Sequence, residues 1–283
     1  MRAKLGAYAA FTKLRLTSLV VISSIIGYGI GAVHFSWLDV FWLAFSGILV
    51  TGASNGFNQV IERDVDALMK RTGNRPLPQG TMGLIESLVL ATAMGVAGLV
   101  MLYFMFNQLA AVLGALALFS YVLIYTPLKR YSSIAVFVGA FPGAIPPMLG
   151  YVAATADFDL YAGLLFATQF MWQFPHFWAI AWVSHDDYKK AGYHLLPSKG
   201  KDGQSAFLTL LYSLFLIPVS LLPWAFDLIG PIAAVALAVA GIAFAIPSFK
   251  LLRTKSDKAA RLVMFASFFY LPIAQLILLL DKL

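Results

Sequence analysis

The sequence predicts an all-α, polytopic membrane protein: nine transmembrane helices around a central cavity open toward the cytoplasmic side, with residues 1–283 forming one domain. Three observations predict it. Hydrophobic residues make up 60% of the chain and charged residues 12%, with a mean hydropathy of +0.82, whereas a soluble domain carries about 25% charged and about 45–50% apolar residues. Apolar stretches long enough to cross a bilayer alternate with short polar joints. The basic residues fall in every second joint. This composition excludes a soluble enzyme, which lacks the polar side chains to cover itself, and equally a disordered chain or a nucleic-acid-binding module. There is no cysteine, so disulfides, thiolate metal sites and cysteine nucleophiles are excluded.

The spans fall at 16–35, 38–57, 84–106, 108–126, 133–153, 161–182, 207–226, 229–248 and 263–280. Each is near the ~20 residues a helix needs to cross ~30 Å of hydrocarbon. A transmembrane barrel would alternate polarity within ~10-residue segments, but Leu109–Phe119 and Ile232–Ala245 are continuously apolar. The first span is preceded by basic residues, as in a signal peptide. Its apolar core exceeds the ~7–15 residues of such a segment, so it reads as a retained helix. Nineteen of the twenty Lys and Arg residues lie in the N-terminal segment and in the joints after spans two, four, six and eight; only Lys282 lies on the other side, with Asp39, Asp157, Asp159, Asp227 and Asp281. Positively charged joints stay in the cytoplasm, which places the N-terminus inside and the C-terminus outside, in the plasma membrane.

Two polar clusters interrupt this pattern. Asn58, Glu62 and Asp66 follow span two at i, i+4 and i+8, one stripe of a helix. An amide and two carboxylates offer the hard oxygen ligands that suit Mg²⁺. Asp64 points elsewhere on such a helix. Lys70, Arg71 and Arg75 follow, and carboxylates for a metal beside cations are what a diphosphate requires. An ordinary solvated loop of paired acids and bases is the bland alternative. It is weakened because the stripe begins inside an apolar helix, where polar groups are costly. The second cluster, His185-Asp186-Asp187-Tyr188-Lys189-Lys190-Ala191-Gly192-Tyr193-His194, follows span six. One of its two carboxylates is expected to reach a shared metal while the other caps a helix or pairs with a lysine. A shorter joint, Tyr125-Thr126-Pro127-Leu128-Lys129-Arg130, brings two cations to the same surface after a helix-ending proline. Span six itself contains Gln169, Trp172, Gln173, Pro175, His176 and Trp178. Amides and an imidazole within a span usually face an interior cavity, and its aromatic rings could line a large apolar chamber; helix packing is the competing reading.

Asn58 to Pro76 resembles the first aspartate-rich signature of the UbiA superfamily of intramembrane prenyltransferases. That signature runs Asn-Asp-x-x-Asp-x-x-x-Asp, with a further Asp two positions after the middle acid and a trailing Arg-Thr-x-x-Arg-Pro. Asn58, Glu62, Asp64, Asp66, Arg71, Thr72, Arg75 and Pro76 fall on it, Glu62 keeps a carboxylate where an Asp is usual, and Gln59 replaces an acid. Tyr125 to Arg130 is similar to the family's Tyr-x-x-x-Lys-Arg joint. The Gln169–Trp178 stretch, then Asp186-Asp187-Tyr188 and Leu196-Pro197, is similar to the haem-modifying branch; Val183 stands where many relatives carry the first acid of a second Asp-x-x-x-Asp signature.

The resemblance implies transfer of a farnesyl group from farnesyl diphosphate to haem b in the bilayer, with Mg²⁺ (or Mn²⁺) as cofactor. It implies metal ligation by Asn58, Glu62, Asp66 and Asp187, with Asp186 beside them. Arg71, Arg75, Tyr125, Lys129, Arg130 and Lys189 would be the catalytic groups, and Trp172, Gln173 and His176 the haem contacts. A downstream haem A synthase is the implied partner, and nucleic acid is not. Rival readings are a prenyltransferase with an aromatic quinone-precursor acceptor and, from another class, a secondary transporter, whose acids would lie near the membrane midplane rather than at one face.

The charge partition yields a topology test. Reporter fusions in the joints near 36, 107, 156 and 228 should report the outside, and those near 70, 130, 195 and 256 the inside. An inside signal at 156 or 228 would overturn the topology.

Overall fold

The computed structural model describes residues 2–282. In chain order the helices are α1 (Arg2–Thr12), α2 (Leu14–Gly31), α3 (Trp37–Asp66), α4 (Leu84–Met105), α5 (Gln108–Phe119), a π-helical turn (Ser120–Tyr125), α6 (Thr126–Leu128), α7 (Ala135–Thr155), α8 (Leu160–Val183), α9 (His185–Lys190), α10 (Gly203–Ala225), α11 (Pro231–Thr254) and α12 (Asp257–Lys282). No strand occurs among the described residues. Caps match the sequence: Ser36, Asn107, Asp159 and Asp202 each accept a backbone N–H of the helix they open.

Eight helical stretches are long and apolar enough to cross a membrane, α2, α3, α4, α7, α10, α11, α12 and the continuous Gln108–Leu128 run of α5, the π-turn and α6, and the chain is a multi-pass membrane protein. The remaining expected span, the sixth, at 161–182, is also a helix, α8, 24 residues long. Gln169, Gln173 and His176 hold its hydropathy below that of the other eight. Pro175 sits inside α8 without interrupting it.

α2, α7, α8 and α12 form the interior of the bundle: α2 packs on α3, α7 and α12, and α8 on α7, α10 and α12. The apolar stretch of α7 is the most enclosed of the eight, 78% buried. Two glycines explain how closely α2 and α7 meet. A Cβ on Gly27 would lie 1.9 Å from the Pro147 carbonyl oxygen, and one on Gly150 would lie 1.8 Å from that of Ser24. With no hydrophobic drive between helices in lipid, such close backbone approach supplies the packing. One amide then ties four helices together. Gln169 Oε1 accepts from Ser23 Oγ (3.0 Å) and Gln275 Nε2 (2.8 Å), and Gln169 Nε2 donates to the Gly143 carbonyl (2.7 Å).

The joints sort into two ends as their charges imply. Tyr28 with Asp39, Tyr151 with Asp159, and the Gly230 amide with Asp281 hold one end. The joints rich in Lys and Arg meet at the other. A recess of about 280 Å³ lined by Tyr28, His34, Asp39 and Phe106 lies at the acidic end. At the basic end Glu62 and Asp66 are buried, with Lys129, Tyr193 and Arg75 seated on their carboxylates.

Gly150→Ala and Gly27→Ala should each lower thermal stability of the detergent-solubilised protein, by about 1–3 kcal/mol as for overpacked cores. Gly163→Ala, whose Cβ meets nothing within 4 Å, should be neutral. Equal melting temperatures for all three variants would remove the close contact from the account of stability.

Candidate active site

α3 runs nine residues past the span read from hydropathy, to Asp66, so the whole Asn58–Glu62–Asp66 stripe is helical. All three side chains are buried. Asp64 and Arg63 point outward and pair with each other at 3.3 Å. Glu62 is saturated: Oε1 meets Lys129 Nζ at 2.6 Å and accepts from Tyr193 Oη at 2.5 Å, and Oε2 accepts from Asn58 Nδ2 at 2.5 Å. Asp66 pairs with Arg75 Nη1 at 2.5 Å through Oδ2. Asn58 Oδ1 accepts from Tyr121 Oη at 3.0 Å. Burial pulls the Lys129 ammonium below the ordinary lysine range, with Glu62 opposing. Burial, then the Glu62 charge, pushes the Tyr193 phenol up, so Tyr193 stays a hydrogen-bond donor.

Local sequence explains these positions. Pro127 has no N–H to return to the preceding turn, and the helix widens just before it: Thr126 N–H reaches back five residues to Tyr121. Tyr121 and Tyr125 lie side by side with ring centroids 5.2 Å apart and planes tilted by 36°, and Lys129 Nζ sits 5.2 Å from the Tyr125 ring centroid. Gly139 makes room for Tyr125, since a Cβ there would lie 2.6 Å from that ring. Thr72 Oγ1 donates to the Asp66 carbonyl at 2.9 Å, which folds the following joint back and delivers Arg75.

The two acidic clusters face each other across Arg71. Its backbone N–H donates to Asp187 Oδ2 at 3.4 Å and its guanidinium to Tyr188 Oη at 3.2 Å, 5.4 Å from that ring's centroid. Asp186 and Lys189 are exposed on α9, and no ion pair joins them among the described residues. Arg130 donates to the Ile61 carbonyl at 2.8 Å, at the rim. Trp172, Gln173 and His176 lie deeper along α8; His176 is nine residues, about 14 Å, from the start of α9. Their polar atoms are engaged between helices: Trp172 Nε1 with the Ser267 carbonyl (2.9 Å), Gln173 Nε2 with the Ala140 carbonyl (2.8 Å) and His176 Nδ1 with Ser267 Oγ (2.7 Å). Trp172 stacks on the imidazole at 4.4 Å.

Sequence reasoning missed Tyr121 and Tyr193 as partners of the stripe. For Tyr121 the available signal was its i, i+4 spacing from Tyr125. Tyr193 lies within the second cluster, but 131 residues from Glu62 nothing in the sequence pairs the two.

The donor set suits a hard divalent cation in part. Asp66 Oδ1 is buried with no hydrogen-bond partner, an orphan that a cation would satisfy. Glu62 holds an ammonium in its place. Among the described residues no three acidic, histidine or cysteine side chains surround one point. Asp186 and Asp187 thus stand apart from the stripe rather than completing a cage with it.

The sequence pattern described as the UbiA prenyltransferase family matches residues 20–271. The chain is 45% identical over 283 residues to a protoheme IX farnesyltransferase of Christiangramia forsetii, covering 98% of this chain and 94% of that one. It is 44% identical over 284 residues to one of Cytophaga hutchinsonii, covering 100% and 99%. Its fold is shared with a digeranylgeranylglyceryl phosphate synthase (TM-score 0.83, 20% identity, 100% and 99% coverage). It is shared also with a UbiA homologue from Archaeoglobus fulgidus bound to GPP and Mg²⁺ (TM-score 0.69, 14% identity, 96% and 99% coverage). The buried stripe, the cations seated on it and the match over most of the chain lead to one conclusion: the chain belongs to the UbiA prenyltransferase family.

Proposed function

We propose that this chain transfers the farnesyl group of farnesyl diphosphate to a vinyl group of haem b, with addition of water, giving haem O. The observation that carries the reading is the buried Asn58–Glu62–Asp66 stripe with Lys129 and Arg75 on its carboxylates, at one end of an apolar bundle. The near full-length identity to relatives named protoheme IX farnesyltransferase selects haem as the acceptor. The chain works as a single domain of nine crossings in the plasma membrane, N-terminus cytoplasmic, and passes its product to a haem A synthase.

Asn58, Glu62 and Asp66 would hold Mg²⁺, or Mn²⁺ in its place, with Asp187 and Asp186 at the rim. When bound, the metal neutralises diphosphate charge and so favours its departure. Arg71, Arg75, Lys129 and Arg130 bind the diphosphate oxygens and stabilise the charge that grows there as the allylic C–O bond breaks with its electron pair. Lys189 adds a cation at the entrance. The Tyr121 and Tyr125 ring faces stabilise the allylic cation by cation–π attraction, and the apolar bundle keeps bulk water away from it. The terminal carbon of the haem vinyl group then bonds to the allylic carbon. The cation left on the inner vinyl carbon takes up water and loses a proton, giving the hydroxyethylfarnesyl group. Haem lies along α8, beside Trp172 and Gln173. Since Ser267 occupies His176 Nδ1, Nε2 is the nitrogen directed to the haem iron or a propionate.

Activity should vanish in excess EDTA and return with Mg²⁺ or Mn²⁺. Glu62→Asp should be mild. Glu62→Gln and Asp66→Asn should each lose about a hundredfold or more in kcat, the scale of a lost electrostatic contact at a reacting centre, and should also weaken Mn²⁺ binding read by electron paramagnetic resonance. Normal turnover and normal Mn²⁺ binding in both amide variants would remove the stripe from the mechanism.

His176→Ala should raise KM for haem several-fold more than KM for farnesyl diphosphate, with a changed Soret band on haem titration. An unchanged spectrum with both KM values shifted alike would make His176 a packing residue only.

A further inference from the structure

The break between α1 and α2 is built into the site. Helix stops at Thr12 and restarts at Leu14, with Lys13 between them in the left-handed region at φ 49°, a conformation that disfavours residues with a side chain. The break is clamped from α3. Gln59 Nε2 donates to the Phe11 carbonyl at 2.7 Å and the Ala10 carbonyl at 3.3 Å, and Asn55 Nδ2 donates to the Thr12 carbonyl and to Thr17 Oγ1, both at 3.3 Å. Thr17 Oγ1 closes the loop on the Thr12 carbonyl at 2.8 Å. Asn55 and Gln59 are one turn apart, and Gln59 adjoins Asn58. The end of α1 is therefore fixed to the same turns of α3 that carry the stripe.

This clamp accounts for Gln59, the position where relatives of the signature carry an acid. A carboxylate has no N–H to give to the Ala10 and Phe11 carbonyls; an amide does. The consequence is where it puts Lys13. Lys13 directly follows the carbonyls that Asn55 and Gln59 hold, and so sits against the turns of α3 that lead into Glu62 and Asp66. Both carboxylates already hold a cation, Arg75 and Lys129 respectively. Among the described residues Lys13 makes no ion pair, and it keeps some open surface. A third cation beside two matched pairs is repelled by its neighbours until an anion arrives. Burial first, then the Arg75 and Lys129 charges, pushes its pKa down to about 7.

Given a diphosphate-cleaving enzyme as read above, we propose that Lys13 is a further cation of the diphosphate site, and that Gln59 is the residue positioning it by clamping the end of α1. The test uses the full chain in detergent with Mg²⁺, farnesyl diphosphate, haem and inorganic pyrophosphate as competing probe. Lys13→Gly tolerates the left-handed backbone and removes the ammonium with its stem. It should raise KM for farnesyl diphosphate and Ki for pyrophosphate by about tenfold or more, the scale of one charged hydrogen bond, and leave KM for haem within about twofold. Lys13→Arg should restore both. Gln59→Glu and Gln59→Leu should give the same selective rise in KM, with kcat less affected than in Asp66→Asn. Unchanged pyrophosphate inhibition in Lys13→Gly, or an equal shift in both substrates' KM values, would overturn the proposal. If the unaltered chain were indifferent to pyrophosphate, the functional reading beneath it would fall instead.

Discussion

A carboxylate at the end of an apolar helix cannot be left bare, and Glu62 is buried to 2% exposure. An uncompensated buried charge costs several kcal/mol, so the chain must bring partners to it. They come from three segments: Asn58 from the same helix, Lys129 from the end of α6, and Tyr193 from the joint after α9. Satisfying one side chain thus draws together residues 58, 129 and 193 at the basic end of the bundle. The π-helical turn before Pro127, the glycine that admits Tyr125 and the fold-back through Thr72 each serve to deliver a partner to this stripe.

The pairs are poor devices for stability alone. Desolvating Glu62 and Lys129 costs about what their attraction returns, and apolar side chains of similar volume often do as well or better. Elsewhere in the molecule the polar work is done by neutral groups, as in the Gln169 node that joins α2, α7, α8 and α12. Charge is concentrated at one end, against the energetic grain of an apolar bundle. Such concentration is understandable where a highly charged ligand has to be met.

Much of this was legible in the sequence because it depends on local periodicity. Helical spans follow from runs of apolar residues, the division of joints into two ends from the placement of Lys and Arg, and the stripe from i, i+4, i+8 spacing. The unread part depends on groups far apart in the chain. Tyr121 and Tyr193 look like ordinary interfacial aromatics until Asn58 and Glu62 are seen beside them. Gln173 and His176 show the limit most clearly. An amide or imidazole in an apolar helix must find a partner, and either a cavity or a neighbouring helix satisfies that need. The sequence shows the need; only the fold shows that the Ala140 carbonyl and Ser267 meet it.

The same logic separates Gln59 from its neighbours. On spacing alone it sits beside the stripe and lacks an acid's charge, which suggests a lost ligand. Its surroundings reverse that inference, because helix α1 ends against it with carbonyls that no further turn of helix can satisfy. A donor is required there, and a carboxylate could not supply one. One Gln59 oxygen remains buried without a partner, so the amide is kept for what its nitrogen does. Position 59 therefore acts through the backbone it holds, beside the buried stripe of Asn58, Glu62 and Asp66 rather than as part of it.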